Sequence, residues 1–281
     1  MQPNQTGRPG HVWLRETARH SRAGLSAFFR EGFTLIELLV VIAIISLLVS
    51  ILLPSLNKAK ELGRSAVCKT NARSLQIGNE LYQNDNDEHY APAAAGIWMA
   101  NLERWFGTRD SAGGTPFRID DGPLNPYLPG TTVRDCPSFT DYLASGSAFE
   151  KGCGGYGYNS SYVGQYWVAP NDSRNTDAEG NASGAFARPA STVAFTDAAF
   201  VNGQLIEYSF CEAPFFPDWH FQATPSIHFR HMGKTNVVWL DSHVSEEELS
   251  FSGATVYPGG EPIDFNIGWL GPNTNELFDL E

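Results

Sequence analysis

Glu37 is the one charged residue in an otherwise apolar run of 21 residues, from Phe33 to Leu53. The run contains no Gly or Pro. A bilayer core needs roughly 20 consecutive apolar residues in a helix, so this run is long enough to span a membrane. A charge in hydrocarbon costs about 2.5–3.5 kcal/mol on insertion scales, and such residues usually face a partner group. We therefore expect Glu37 to meet a specific partner.

A second set of residues near the C-terminus could bind a metal: His228, His231, Asp241 and His243. Imidazole and carboxylate are zinc ligands. However, His228 and His231 are three residues apart on a presumed strand, where alternate side chains point to opposite faces. The favoured interpretation is a hydrogen-bonded pair of His231 and Asp241 that fixes a hairpin with its turn at Met232–Thr235. No metal ligand is predicted.

The sequence contains no catalytic motif that rises above background. There is no G-x-S-x-G nucleophile elbow, no P-loop and no dinucleotide-binding fingerprint. Tryptophans could line a carbohydrate groove, but packing roles are favoured; they are Trp98, Trp105, Trp167, Trp219, Trp239 and Trp269. The sequence therefore predicts no catalytic residue and no cofactor, and a protein that is not an enzyme.

The charge distribution predicts an orientation in the membrane. The first 32 residues hold five Arg and two Glu, which leaves 14 basic and 29 acidic residues, a formal charge of −15, in the rest of the chain. Such an acidic body is not expected to bind nucleic acid, which requires clustered Lys and Arg. Basic residues before a span stay in the cytoplasm. Residues 1–32 are thus predicted to be cytoplasmic, and the chain after Leu53 extracytoplasmic, in an inner-membrane protein with one span.

The hexapeptide Gly32-Phe33-Thr34-Leu35-Ile36-Glu37, followed by an apolar segment, resembles the class III signal of type IV pilins and type II secretion pseudopilins. The resemblance implies that prepilin peptidase removes a leader ending at Gly32 and that Phe33 becomes an N-methylated first residue. It also implies that Glu37 pairs with the free amine of a neighbouring subunit's Phe33. Pro54 lies where many pilins carry a helix-bending proline.

The resemblance implies a structural subunit that assembles through its N-terminal helix with other pilin-like subunits, in a type II secretion or type IV pilus-like filament. The alternative is a membrane-tethered binding protein or hydrolase that uses a prepilin-type signal for export. A concave site lined by Trp and by His231, Asp241 or Asp218 would favour that alternative.

A second resemblance lies near the C-terminus. His231 and Asp241 keep the spacing of the H-x9-D-G element of large pilin-like proteins from planctomycete-type bacteria, but Ser242 replaces the glycine. A serine tolerates positive φ less well than a glycine, so the turn geometry at this position is in question.

Four cysteines, Cys68, Cys136, Cys153 and Cys211, follow the predicted span, where disulfides can form. Four cysteines allow three pairings. Cys136 and Cys153 are close in sequence and flank loop-like residues, so they are the preferred pair.

The chain is predicted to have an α+β fold, with a long N-terminal helix docked on a β-rich antiparallel domain. The predicted segments are a leader (1–32), a membrane-spanning and assembly helix (33–53), an amphipathic continuation (54–85) and a β-rich domain (86–281). Apolar residues at three- and four-residue steps favour the continuation, and the run Asn84–Asp87 favours its end. The apolar face is predicted from these residues: Leu56, Ala59, Leu62, Ala66, Val67, Leu75, Gly78 and Tyr82.

Overall fold

A computed structural model describes residues 32–112, 116–130, 135–139, 150–165, 179–217, 221–255 and 259–281. Nearly all of the predicted leader, and also Trp167, Asp218 and Trp219, lie outside the described residues. The chain divides into two units, one that ends at Ile51 and one from Leu52 to Glu281.

Helix α1 spans Leu35–Asp85 and includes Pro54 in its interior. It begins after Thr34, whose backbone carbonyl accepts the first helical hydrogen bond from the amide of Leu38. It ends where Asp87 and Glu88 adopt positive φ values of 49° and 65°. A left-handed backbone conformation commonly terminates a helix. The predicted end near Asn84–Asp87 is therefore confirmed.

The rest of the second unit is built mainly of short strands and turns. The strands are β1 (Glu103–Arg104), β2 (Gly107–Thr108), β3 (Tyr156–Tyr158), β4 (Val193–Asp197), β5 (Phe200–Val201), β6 (Leu205–Ile206), β7 (Ile227–His228), β8 (Lys234–Trp239), β9 (Val244–Glu248) and β10 (Ile267–Gly268). Single turns of 3₁₀-helix occur at Asn125–Tyr127, Ser183–Ala185, Pro189–Ser191 and Pro262–Phe265.

The main sheet has four strands in the order β3-β4-β8-β9, and every pairing within it is antiparallel. Among the described residues there are also three two-stranded ribbons, β1-β2, β5-β6 and β7-β10. The edge strand β9 carries Glu246, Glu247 and Glu248, and charges on an edge discourage pairing with another chain. One long helix with an antiparallel β-rich domain confirms the predicted α+β class.

The sheet has a hydrophobic core on each face. Val238 and Leu240 lie in the core that contains residues of α1, whereas Val237 and Trp239 lie in a second core with Trp269. This division follows from the two-residue alternation of side chains along a strand. Both faces are therefore covered, and α1 covers one of them.

The side of α1 that docks on the sheet differs from the prediction. Its buried residues are mostly small or polar: Ser65, Cys68, Ala72, Leu75, Gln76, Gly78 and Asn79. Of the predicted apolar face, Leu75 and Gly78 are buried, but Leu56, Leu62 and Val67 are exposed. The prediction failed because the docking contact is largely polar, and hydrophobic periodicity does not detect polar contacts.

Directional hydrogen bonds hold the second half of α1 on the sheet. Gln76 donates to the carbonyl of Leu240 at 3.1 Å, and Asn79 donates to the Tyr158 hydroxyl at 3.0 Å. The Asn79 side-chain oxygen accepts from the amide of Ala91 at 2.9 Å. Buried polar groups must be paired, so these bonds fix one register of the helix against the sheet.

The predicted hairpin at Met232–Thr235 is wrong in its extent. Met232 and Gly233 do form a tight turn with positive φ, but only His231 and Lys234 pair across it. The extended hairpin is β8–β9 instead. Its loop contains Ser242 in the left-handed region, with φ of 67°.

Candidate functional site

A reciprocal cap closes the N-terminus of α1. The Thr34 amide and hydroxyl both donate to Oε2 of Glu37 at 2.8 Å, and the Glu37 amide donates to the Thr34 hydroxyl at 3.2 Å. This is the capping-box pattern, in which Ser or Thr at the N-cap and Glu at the third helical position satisfy each other's donors. Glu37 therefore has a local partner, which the sequence analysis missed although the T-x-x-E spacing was visible.

The residues around this cap are exposed. Every residue from 32 to 60 is exposed, and α1 contains an 18-residue window apolar enough to cross a membrane by length and composition. Phe33, Leu35 and Ile36 are 75%, 80% and 72% exposed. A contiguous apolar surface of this size is unfavourable in water, and such surfaces mark sites of contact with lipid or with another protein.

Pro54 lies inside α1 without ending it. Proline has no amide hydrogen, so the helical bond from position 54 to the carbonyl of Ser50 is missing. The neighbouring Ser50 and Ser55 hydroxyls bond back to the carbonyls of Leu47 and Leu52 at 2.7 and 2.8 Å. These two polar side chains are thereby paired within the apolar helix.

A second apolar surface lies on the part of α1 that belongs to the larger unit. Leu56, Val67, Ile77 and Leu81 are between 42% and 64% exposed. At 3.6 residues per turn these positions fall on the side of the helix opposite the buried residues that dock on the sheet. We call these four residues the outer face of α1. The helix thus offers an apolar surface beyond what the domain covers.

Comparison with known proteins decides the family. The family profile of the prokaryotic N-terminal methylation motif matches residues 29–53. Over 97 residues the chain is 33% identical to the type IV wide pilus major component PilA4 of Thermus thermophilus, a match that covers 34% of this chain and 69% of that protein. The chain belongs to the type IV pilin family.

A second relative supports the assignment of this chain to the type IV pilin family. The chain is 38% identical over 58 residues to the competence protein ComGC of Halalkalibacterium halodurans, a match that covers 21% of this chain and 57% of ComGC. No solved structure matches. The prepilin-type signal at Gly32, Phe33 and Glu37 lies within the matched motif, and the chain is a pilin-like filament subunit. The resemblance of His231 and Asp241 to the H-x9-D-G element stays a prediction.

The predicted pair of His231 and Asp241 does not form. Nδ1 of His231 contacts Glu61 at 3.0 Å and its Nε2 contacts Asp197 at 3.4 Å, whereas Asp241 bonds to His243. The residues between His231 and Asp241 include all six residues of β8. An extended strand of six residues spans about 20 Å. Ten-residue spacing therefore places the two side chains at opposite ends of the strand.

The preferred disulfide is also wrong. Cys136 is bonded to Cys68 of α1, and Cys153 is a buried free thiol. The amide of Cys136 does bond to the carbonyl of Gly154, so the two loops are adjacent as expected. Nearness in sequence misled the prediction, because the entropy of closing a loop rises only slowly with its length.

A network of buried charged side chains extends to the Cys68–Cys136 disulfide through His231. Burial opposes the ionisation of Asp197, but the Arg230 guanidinium, the His231 ring and the Asn236 amide outweigh it and lower the pKa of Asp197. Nη2 of Arg230 lies 3.1 Å from Oδ1 of Asp197, and both side chains are fully buried. The guanidinium also stacks over Phe139, 4.3 Å from the ring centre. Neither Asp197 nor Glu61 was identified from the sequence.

The described tryptophans do not form a groove. Trp105 and Trp269 are fully buried and Trp239 is nearly so, which leaves Trp98, 42% exposed, as the exposed one among the described tryptophans. A cavity of about 380 Å³ has Tyr162, Pro217 and Asn275 among its lining residues, and neither His231 nor Asp241 reaches it. In the described part of the chain, the concave site that the hydrolase alternative needs is not formed by these residues.

Proposed function

We propose that prepilin peptidase cuts this pilin between Gly32 and Phe33 and that the mature chain is a structural, non-enzymatic subunit of a type IV pilus-like or type II secretion filament. The observation that carries the proposal is the prepilin motif at the start of an exposed apolar helix. Before assembly, Phe33–Leu53 holds the chain in the inner membrane, with residues 1–32 in the cytoplasm. Residues 54–85 extend the helix, and 86–281 form the extracytoplasmic domain.

In the assembled filament, the apolar helices of neighbouring subunits pack together and the Phe33 amine of one subunit meets the Glu37 carboxylate of another. An unpaired ionised group in a dry core costs several kcal/mol, whereas a paired one is tolerated. Only one axial stagger brings the two charges together, so the pair sets the register. The outer face of α1 supports such packing, because Leu56, Val67 and Leu81 remain exposed after the domain has docked.

The capping box complicates a simple test of this pair, because Glu37 serves both the cap and the proposed ion pair. Glu37→Gln separates the two roles. Glutamine at the third helical position can still take part in a capping box, but it carries no charge. We expect Glu37→Gln to insert normally into the membrane and to lose most of its incorporation into filaments, as measured by the fraction of subunit in sheared surface filaments.

Thr34→Val is the matched control. It removes the hydroxyl of the cap, at a cost of about 1 kcal/mol to the helix N-terminus, and keeps the carboxylate. We expect this variant to assemble. If Glu37→Gln assembles like the unmodified protein while Thr34→Val fails, Glu37 acts as a cap and the proposed ion pair is wrong.

A further inference from the structure

Three side chains with metal-ligating atoms, Cys68, Cys136 and His231, converge at α1, and a fourth, Asp197, contacts His231. Cys68 comes from the helix, Cys136 from the segment 135–139, Asp197 from the end of β4, and His231 from the turn before β8. The ligand atoms of Cys68, Cys136 and His231 all lie within 4.8 Å of one another. Nε2 of His231 is 3.8 Å from the sulfur of Cys136 and 3.4 Å from Oδ2 of Asp197. All four side chains are buried.

The two separations measured from His231 are close to those in a tetrahedral zinc site. Zinc bonds sulfur at about 2.3 Å, histidine nitrogen at about 2.0–2.1 Å and carboxylate oxygen at about 2.0–2.2 Å. In a tetrahedron with those bond lengths, nitrogen and sulfur lie about 3.6 Å apart and nitrogen and oxygen about 3.3 Å apart. The two observed distances from His231 are within a few tenths of an ångström of these values.

We propose that, when the bond between Cys68 and Cys136 is reduced, Cys68, Cys136, Asp197 and His231 bind one Zn²⁺ ion. Reduction by a phosphine adds two electrons and two protons to the sulfurs, and the phosphine is oxidised to its oxide with an oxygen from water. Zinc then displaces both thiol protons to solvent and forms two zinc–sulfur bonds. Because both states use the same sulfurs, the disulfide and the metal site exclude each other.

The surroundings match a zinc site in charge. Two thiolates and the carboxylate of Asp197 carry three negative charges, the zinc ion carries two positive charges, and the adjacent Arg230 carries one. The charges of these buried groups therefore sum to zero with the metal bound, and Glu61, whose side chain is 23% exposed, adds one negative charge at the edge of the cluster. Neutrality matters here because an uncompensated charge at a buried position is costly.

Hydrogen-bond partners that would orient the ligands are also in place. Metal-bound histidines usually donate their other ring nitrogen to a carboxylate or carbonyl. Here Nδ1 of His231 lies 3.0 Å from Glu61, which also accepts from the Ser138 hydroxyl at 2.7 Å. The Asn236 amide donates to Oδ2 of Asp197 at 2.8 Å. A disulfide alone requires neither the oriented histidine nor the held carboxylate.

Either of two cross-links, the disulfide or the zinc site, would then join α1 to the β-rich domain. Cys68 and Glu61 lie on the helix, while Cys136, Asp197 and His231 lie on the domain that it docks on. In an oxidising environment the disulfide forms the cross-link, and in a reducing environment the bound zinc forms it.

The test uses the full chain in detergent, after reduction with a phosphine and removal of metal, with far-ultraviolet circular dichroism to verify the fold. We expect the reduced protein to bind about one zinc per chain and the oxidised protein to bind none. Bound Co²⁺ should show thiolate-to-metal charge-transfer absorption. A reduced, folded protein that binds no zinc, or that binds cobalt without this absorption, would overturn the proposal.

Variants separate this site from incidental binding. We expect Glu61→Gln to weaken zinc affinity by about 10- to 100-fold and His231→Gln, which loses a ligand, to weaken it by more. His243→Gln and Cys211→Ser are the matched controls, because His243 is exposed and bonded to Asp241 and Cys211 is a free thiol outside the cluster. Both controls should bind like the unmodified protein. Equal affinity in His231→Gln and His243→Gln would refute the site.

Discussion

Ser242 shows how one residue fits a position that favours glycine. Its φ of 67° lies in the left-handed region, and its amide closes the β8–β9 loop by bonding to the carbonyl of Trp239 at 2.9 Å. Its hydroxyl donates to Oε1 of Glu80 on α1 at 2.6 Å. The left-handed backbone conformation is less favourable for serine than for glycine, but the serine side chain makes a hydrogen bond that links the β8–β9 hairpin to α1.

Two substitutions at Ser242 measure these opposing effects. Ser242→Ala removes the hydrogen bond and keeps the unfavourable φ, so we expect a loss of about 1–2 kcal/mol in the free energy of unfolding. Ser242→Gly also removes the bond but relieves the backbone, and should be more stable than Ser242→Ala by about 1 kcal/mol. Chemical denaturation measures both. Equal stability of the two variants would mean that the backbone at 242 carries no such penalty.

His228 makes stability depend on pH. Its burial, followed by the nearby Arg230 guanidinium and the His231 ring, lowers the pKa of His228 well below 6.5, and the Asp197 carboxylate only partly offsets this. The folded state therefore keeps His228 neutral at pH values where the unfolded chain gains a proton. The stability from this residue is fully present above pH 6.5 and falls as the pH decreases below it.

We expect the free energy of unfolding to decrease between pH 6.5 and 5 with a slope approaching about 1.4 kcal/mol per pH unit from this one group. His228→Gln should flatten that slope, whereas the exposed control His243→Gln should leave it unchanged. Denaturant unfolding at several pH values measures it. A slope that persists unchanged in His228→Gln would show that other groups cause it.

At the scale of elements, α1 presents two surfaces with different requirements. The docked side carries Leu75, which is 2% exposed, beside hydrogen-bonding residues such as Gln76 and Asn79. The outer face carries Val67 and Leu81, which are 49% and 47% exposed. The docked side packs against the rest of the subunit, and we propose that the outer face contacts other subunits.

Substitutions on the two sides of α1 should therefore differ in their effects on stability and on filament assembly. Val67→Gln combined with Leu81→Gln should change the free energy of unfolding by less than about 0.5 kcal/mol, because surface changes are usually that small, but should reduce incorporation into filaments. Leu75→Ala should lower stability by about 2–5 kcal/mol through loss of core packing. If the double variant assembles normally, the outer face is not an assembly surface.

At the scale of the whole molecule, local patterns in the sequence identified much of the architecture. The apolar run and the polar stretch at Asn84–Asp87 predicted the extent of α1. These features depend on residues close to one another in the chain. The hexapeptide from Gly32 to Glu37 also identified the family, because it is a local signal.

Long-range contacts could not be predicted in the same way. The bond between Cys68 and Cys136, and the contacts of His231 with Glu61 and Asp197, join residues of α1, a loop, a turn and one strand. Which of many candidate partners meet depends on how α1 docks, and its docked side is too polar for hydrophobic periodicity to reveal. The capping role of Glu37 is the exception, since its T-x-x-E signal is local and was overlooked.

The central claim is that this chain is cut before Phe33 and then packs its apolar helix against other pilin-like subunits. Mass spectrometry of the protein recovered from sheared surface filaments tests it most directly. The account predicts a chain that begins at N-methylated Phe33 and is present in the filament fraction. A protein that retains residues 1–32 and is found only in the membrane fraction would contradict it.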